Sequence, residues 1–225
     1  MKNKKRRRVE DRAPDWARSR LDEHLFQSAR VLNETKARCG GQILKAARLA
    51  ADTFATGNKM LICGNGGSAA DAQHIAAEYV SRLTKGFERP ALPAIALTTD
   101  TSILTAYAND CGFDGVFERQ VEALGKPGDL LVCVSTSGNS RNVILALHAA
   151  DRVGMQTIAL CGDGGILAEL ATIAICIPSR STQYIQEAHL AVEHILCDLT
   201  ERYLFTEQAM NEIRQRRDHV AEYRA

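Results

Sequence analysis

Lys59-Met60-Leu61-Ile62-Cys63-Gly64-Asn65-Gly66-Gly67-Ser68-Ala69-Ala70-Asp71-Ala72-Gln73-His74-Ile75-Ala76-Ala77-Glu78-Tyr79-Val80-Ser81-Arg82 is the stretch on which the reading of this chain turns. Residues 60–63 are a short apolar run of strand character, ended by the turn Gly64-Asn65-Gly66-Gly67-Ser68. Residues 69–83 follow as good helix formers with no Gly or Pro. Strand, glycine turn and helix in that order bring backbone N–H groups and the positive end of a helix to one point, which suits an anion such as a phosphate. His74 and Glu78 lie four apart in that helix and share a face.

Outward from this stretch, the same alternation repeats. Residues 93–97, 130–134, 157–160 and 173–177 are further apolar strand candidates. Between them the pattern predicts a short helix capped by Thr98-Thr99-Asp100 through Ala108, an interruption at Asn109-Asp110, and helices over 117–124, 142–153 and 167–170. A long helix from 182 to about 204 closes the core. Two amphipathic helices, residues 14–37 and 43–56, precede the first strand, with Gly40-Gly41 expected to separate them. Their apolar stripes exceed what one domain covers and are expected to pack between subunits. The fold class is therefore α/β, a five-stranded parallel sheet with helices on both faces plus N-terminal helices. Ligands in such sheets bind beyond the carboxyl ends of the strands, near the switch in strand order, so the loops after Cys63 and Val134 should converge on one pocket.

Bulk properties narrow the classes. With 225 residues, 45% apolar and 24% charged residues and a net charge of +1, the chain reads as an ordinary globular protein with no bias toward nucleic acid. No apolar run approaches the ~20 residues of a membrane span. Seven cysteines without a CxxC pair give no zinc-finger or redox signature, and a cytoplasmic location is the expectation. Lys2, Lys4, Lys5, Arg6, Arg7 and Arg8 form a basic run, expected to be a solvated, disordered terminus. The division that follows is 1–13 basic tail, 14–57 N-terminal helices serving oligomerisation, 58–205 the α/β domain and 206–225 a C-terminal tail.

The glycine turn is neither a Walker A motif, because no Lys-Ser/Thr pair follows, nor a dinucleotide fingerprint, because Ala69 stands where a third glycine would. Taken alone it fits a packing turn as well as a phosphate cradle. Ser135-Thr136-Ser137-Gly138-Asn139-Ser140 adds four hydroxyls around the start of the next helix, more than N-capping needs and suited to phosphate oxygens. His74 and Glu78 fit a surface polar pair or a functional one, and their place after the turn favours function. On the last helix Gln186, Glu187, His189, Glu193 and His194 stand among apolar residues; any that are buried need partners, and His74 and Glu78 are candidates.

These residues together resemble the sugar isomerase (SIS) domain family and, within it, the bacterial phosphoheptose isomerases. The carriers are Cys63 through His74, the run Ala94-Ile95-Ala96-Leu97-Thr98-Thr99-Asp100, Ala108-Asn109-Asp110, the hydroxyl loop 135–140 and Ile185-Gln186-Glu187-Ala188-His189. The resemblance implies a flavodoxin-like SIS fold and aldose–ketose isomerisation of sedoheptulose 7-phosphate to D-glycero-D-manno-heptose 7-phosphate through an enediol, opening nucleotide-activated heptose synthesis for lipopolysaccharide or other surface glycans. It implies Glu78 as the base and His194 as its acid/base partner. Asn65, Gly66, Gly67, Ser68, Glu78, Asn109, Asp110, Ser135, Thr136, Ser137, Ser140 and Gln186 would hold the substrate, with Arg82 a further candidate.

The resemblance also implies one zinc per subunit on His74, Glu78, Gln186 and His194, and a homotetramer. On one straight helix Gln186 and His194 are separated by roughly 12 Å, so both reach one ion, with bonds of about 2.0–2.2 Å, only at full stretch. A bent helix or a site shared between subunits would relieve this, and the shared site is the expectation. Two other readings stay within the family: a non-catalytic binding protein associating with the replication initiator, and an isomerase of another phosphosugar. The presence of both Glu78 and His194 favours an enzyme.

Overall fold

Five apolar runs pair into one parallel sheet: β1 (Met60–Gly64), β2 (Ala94–Ala96), β3 (Leu130–Ser135), β4 (Gln156–Cys161) and β5 (Ile173–Cys176), in the order β2-β1-β3-β4-β5. The structure is a computed structural model and describes residues 13–86 and 88–206. Seven α-helices surround the sheet among these residues: α1 (Asp15–Ala55), α2 (Gly67–Val80), α3 (Thr101–Cys111), α4 (Glu118–Leu124), α5 (Arg141–Val153), α6 (Ile166–Leu170) and α7 (Thr182–Phe205). The central strands β1 and β3 are buried at every position, which is why they read as unbroken apolar runs rather than alternating ones.

Alternate strand residues still choose sides. Met60, Ile62, Leu130, Val132, Val134, Ile158 and Leu160 join a core with residues of α1, α2 and α7. Leu61, Cys63, Leu131, Cys133 and Ala159 join a second core with residues of α4, α5 and α6. Helices α2 and α7 therefore lie on one face of the sheet. The strand order reverses between β1 and β3, whose register pairs Met60 with Leu130 and Cys63 with Cys133. The carboxyl ends of these two strands flank the switch point where such sheets bind ligands. Their other ends are tied through Asp129, which accepts from the backbone N–H groups of Lys59 and Lys126 and pairs with the Lys59 ammonium.

Two expectations are corrected. Gly40-Gly41 does not divide the N-terminal segment: α1 is one helix of 41 residues running through both glycines. Each glycine costs roughly 1 kcal/mol in a helix. Burial of Cys39, Ile43, Ala46, Ala47, Ala50 and Phe54 on either side outweighs that, because a buried large aliphatic or aromatic side chain contributes about 1.5–3 kcal/mol. Asn109-Asp110 likewise does not interrupt α3. Their side chains bond to each other, Asn109 Nδ2 donating to Asp110 Oδ1 at 2.8 Å, and the helix stops only at Gly112, where φ is +94°.

The carboxyl half of α1 belongs to the same core as the sheet, whereas its first turns leave Trp16, Leu21, Leu25 and Phe26 exposed, Trp16 by 71%. The basic run and residues 207–225 lie outside the described residues. Among those described, no helix is long and apolar enough to cross a membrane, and all seven cysteines are free thiols.

Candidate functional site

The turn after β1 is built for close approach. Gly66 takes the N-cap position of α2 at φ +56° and supplies no side-chain cap, so the leading N–H groups of the helix are left for another acceptor. Gly67 has no room for a side chain: a Cβ there would lie 2.2 Å from Gln186 Nε2. Asn65 exchanges two hydrogen bonds with Asn142, at 2.8 and 2.9 Å, fastening the β1 turn to the first turn of α5. Ser68 is buried beneath the turn.

The loop after β3 stands beside it. Ser140 occupies the N-cap position of α5, yet its hydroxyl caps nothing. It bonds Ser135 Oγ at 2.9 Å, and Ser135 Oγ lies 3.4 Å from Ser137 Oγ. Three hydroxyls are thus linked to one another at a helix start instead of being consumed by the helix, which leaves donors for an anion. Ser137 Oγ also accepts from the Asn139 N–H at 3.1 Å. Thr136 and Ser137 line a cavity of about 230 Å³ with Asp163, Ser179, Arg180 and Thr182.

Helices α2 and α7 run side by side in the same direction, so contacts repeat along their seam. Gln186 meets Gly67, His194 Nε2 meets His74 Nε2 at 2.9 Å, and Thr200 Oγ1 meets the Tyr79 hydroxyl at 3.4 Å. Glu78 Oε1 lies 3.7 Å from His74 Nε2. The ligating atoms of His74, Glu78 and His194 all fall within 4.8 Å of one another, inside one protomer. Gln186 contacts Gly67, on the glycine-turn side of this cluster. Two ligands on a tetrahedral zinc, with bonds of about 2.0–2.1 Å, stand roughly 3.3 Å apart. The His–His and His–Glu separations bracket that value, so two imidazoles and a carboxylate here fit a borderline cation such as zinc.

Charge is arranged behind the cluster in a way the sequence did not disclose. Asp71, one turn before His74, is pushed up to about 6 by burial, against the pull of His74, and its Oδ2 has no partner. Glu193, one of the polar residues set among apolar ones on α7, is 0% exposed with both oxygens unpartnered; burial and then the Asp71 charge push it up to about 8. Two carboxyls near each other in a low-dielectric seam resist ionising together. His189 is a core residue whose Nε2 lies 3.3 Å from the Cys161 carbonyl, and burial lowers it to about 4. Glu187 instead pairs at 2.7 Å with His24 of α1. Glu193 stood out in the sequence only as a polar residue among apolar ones, the three-residue spacing of Asp71 and His74 was the one local signal for Asp71, and Asn142 carried none.

Asn109 and Asp110 stand apart on the exposed side of α3, and among the described residues no hydrogen bond joins their side chains to the two loops. Arg82 is exposed beyond the end of α2.

Comparison with known proteins places this arrangement. The family model for the SIS domain matches residues 23–162. A phosphoheptose isomerase of Akkermansia muciniphila is 54% identical over 166 residues, 73% of this chain and 87% of that one. The phosphoheptose isomerase of Chlorobium phaeobacteroides is 55% identical over 187 residues, 82% of each chain. The solved phosphoheptose isomerase of Neisseria gonorrhoeae superposes with a TM-score of 0.77 at 44% identity, covering 82% of this chain and 98% of that one. With a glycine turn and a hydroxyl loop after neighbouring strands and a His/Glu/His cluster along the α2/α7 seam, this chain belongs to the SIS domain family and, within it, to the phosphoheptose isomerases.

Proposed function

We infer that this chain is an aldose–ketose isomerase that converts D-sedoheptulose 7-phosphate to D-glycero-D-manno-heptose 7-phosphate, the first step of nucleotide-activated heptose synthesis. The observation that carries the reading is the meeting of His74, Glu78 and His194 within 4.8 Å, on helices whose starts adjoin the two phosphate-type loops. Phosphate held on the N–H groups of Gly66 and Gly67 and the hydroxyls of Ser68, Ser135, Thr136, Ser137 and Ser140 would leave the C1–C2 end of the sugar to reach the cluster. Asn65 and Gln186 would steady the chain between, and Asn109 and Asp110 would take hydroxyls once substrate is bound.

Isomerisation of a ketose moves one proton from C1 to C2 and another from O1 to O2. Glu78 is the carboxylate placed to take the C1 proton and return it to C2. We assign to the His194 imidazole, which can both accept and donate a proton, the transfer of the O1 proton to O2. His74, Glu78 and His194, with Gln186 as the fourth donor, are the residues that would hold zinc. Bound there, zinc would supply Lewis-acid polarisation of the substrate carbonyl.

The exposed apolar residues Trp16, Leu21, Leu25 and Phe26 on α1, and a groove of about 390 Å³ between α1 and α7 lined by Leu32, Ile43, Leu44, Val192 and Ile195, support a homotetramer built on these helices. Free thiols throughout support a cytoplasmic location. Lipopolysaccharide or another surface glycan is the destination we assign to the heptose, on the strength of the family.

The experiment is proton exchange in heavy water with sedoheptulose 7-phosphate, following deuterium entry at C1 and C2 by NMR, with wild type and Glu78→Gln side by side. Incorporation by wild type alone supports the enediol route with the base on Glu78. Normal turnover by Glu78→Gln would remove that assignment.

A further inference from the structure

Past the His74–His194 contact the α2/α7 seam ends in a buried ion pair that no step of the reaction uses. Arg89, in the segment leading from α2 to β2, has a side chain that is 0% exposed, and its partner Glu201 on α7 is 3% exposed. Arg89 Nε donates to Glu201 Oε1 at 2.7 Å, and Nη2 lies 2.7 Å from the same oxygen. The remaining donors go to backbone. Nη2 donates to the Glu78 carbonyl at 2.8 Å, and Nη1 to the Tyr79 and Pro90 carbonyls at 2.8 and 2.9 Å. Five contacts thus match the five N–H donors of a guanidinium.

The carbonyls it takes are significant for what they end. Helix α2 stops at Val80, so the carbonyls of Glu78 and Tyr79 are among the last in the helix and have no partner within it. A cation at that end also opposes the helix dipole. Glu78 therefore sits in the last turn, where helices fray most readily, and its backbone is held by Arg89. The same guanidinium grips Glu201, two turns beyond His194 on α7.

We propose that Arg89 and Glu201 are positioning residues that fix the catalytic carboxylate of Glu78 against His194 by clamping the end of α2 to α7. Neither touches substrate; they set the distance between the two groups that do. The inference rests on the assignment of Glu78 and His194 as the reacting pair.

Two variants test it. Arg89→Lys keeps the charge and the pairing with Glu201, but a point ammonium cannot serve two carbonyls and a carboxylate in one plane. The double variant Arg89→Met/Glu201→Leu removes both charges together, which avoids leaving one of them buried and unpaired, and removes the tether on the Glu78 carbonyl. In both, kcat falls on the order of tenfold or more, because displacement of a reacting group by about 1 Å costs up to roughly a hundredfold. KM stays within about twofold, since the phosphate loops are elsewhere. Zinc affinity, measured by competition with a chromogenic chelator, falls as His74, Glu78 and His194 lose their spacing.

A kcat within about twofold of wild type in either folded variant, or a loss confined to KM, overturns the proposal. Failure of Arg89→Lys to fold makes the pair a folding element only and overturns it as well. If Glu78→Gln retains turnover, the catalytic reading of Glu78 fails; the change in zinc affinity of Arg89→Lys still decides whether the clamp spaces the cluster.

Discussion

Gly67→Ala places one methyl group where the structure has no space for it. The added Cβ would lie 2.2 Å from Gln186 Nε2, 2.9 Å from its Cδ and 3.2 Å from its Oε1. Non-bonded heavy atoms settle near 3.5 Å, so the amide must retreat by roughly 1.3 Å or more. The atoms that move are the far end of a flexible side chain, and Gly67 has no positive φ to defend. Stability should therefore hold or rise, since alanine is better than glycine in a helix by up to about 1 kcal/mol. Activity should not. If Gln186 steadies substrate or zinc from this position, its displacement by about 1 Å lowers kcat/KM up to roughly a hundredfold, equivalent to about 2.7 kcal/mol of transition-state stabilisation.

The assay is steady-state turnover of sedoheptulose 7-phosphate alongside thermal denaturation, for Gly67→Ala, Gln186→Ala and the double variant. If the methyl acts through Gln186, the double variant is no worse than Gln186→Ala alone. A kcat/KM for Gly67→Ala within about threefold of wild type would refute the reasoning. So would additive losses in the cycle, which would mean that the methyl blocks the phosphate directly, and so would a collapse of the melting temperature.

Ser137→Ala removes one hydroxyl from the proposed cradle and should raise KM by about fivefold, the equivalent of a hydrogen bond worth ~1 kcal/mol, with kcat little changed. A loss wholly in kcat would take Ser137 out of the phosphate site. Wild-type protein should carry one zinc per chain by atomic absorption, and His74→Ala and His194→Ala essentially none; full occupancy in either variant would move the metal elsewhere. His189, held at about 4 against its ordinary 6.5 by burial, stays neutral in the fold while the unfolded chain takes up a proton between those values. Stability is thus full above pH 6.5 and falls on acidification, by about 3 kcal/mol at ~1.4 kcal/mol per unit. Urea midpoints at pH 7.5 and 4.5 should converge in His189→Gln relative to wild type. Asp71 and Glu193 give the opposite slope in both proteins, so the difference isolates His189, and equal slopes would refute its role.

What the residues disclosed, and what they withheld, follows from the range of the interaction behind each feature. Strands buried on both faces leave unbroken apolar runs, so Met60–Gly64 and Leu130–Ser135 are visible in the sequence alone. A glycine turn opening a helix, and a His and Glu on one face of it, are equally local, and the turn and the pair were legible. Gly40-Gly41 misled because a propensity of about 1 kcal/mol per glycine is weighed locally in a sequence but against the burial of a whole helix face in the fold. Arg89 and Glu201 were silent for the converse reason: a charged residue carries no mark of burial, and Arg89 meets Glu201 across 112 residues of chain. The long-range half of the site nevertheless has a simple rule. Because α2 and α7 run parallel, partners along the seam keep a nearly constant separation, 120 residues for His74 and His194 and 121 for Tyr79 and Thr200. A single cross-helix contact would therefore have fixed the others. Zinc on His74 and His194 would be one such contact, so the ligands of the metal and the packing of the helices specify the same register.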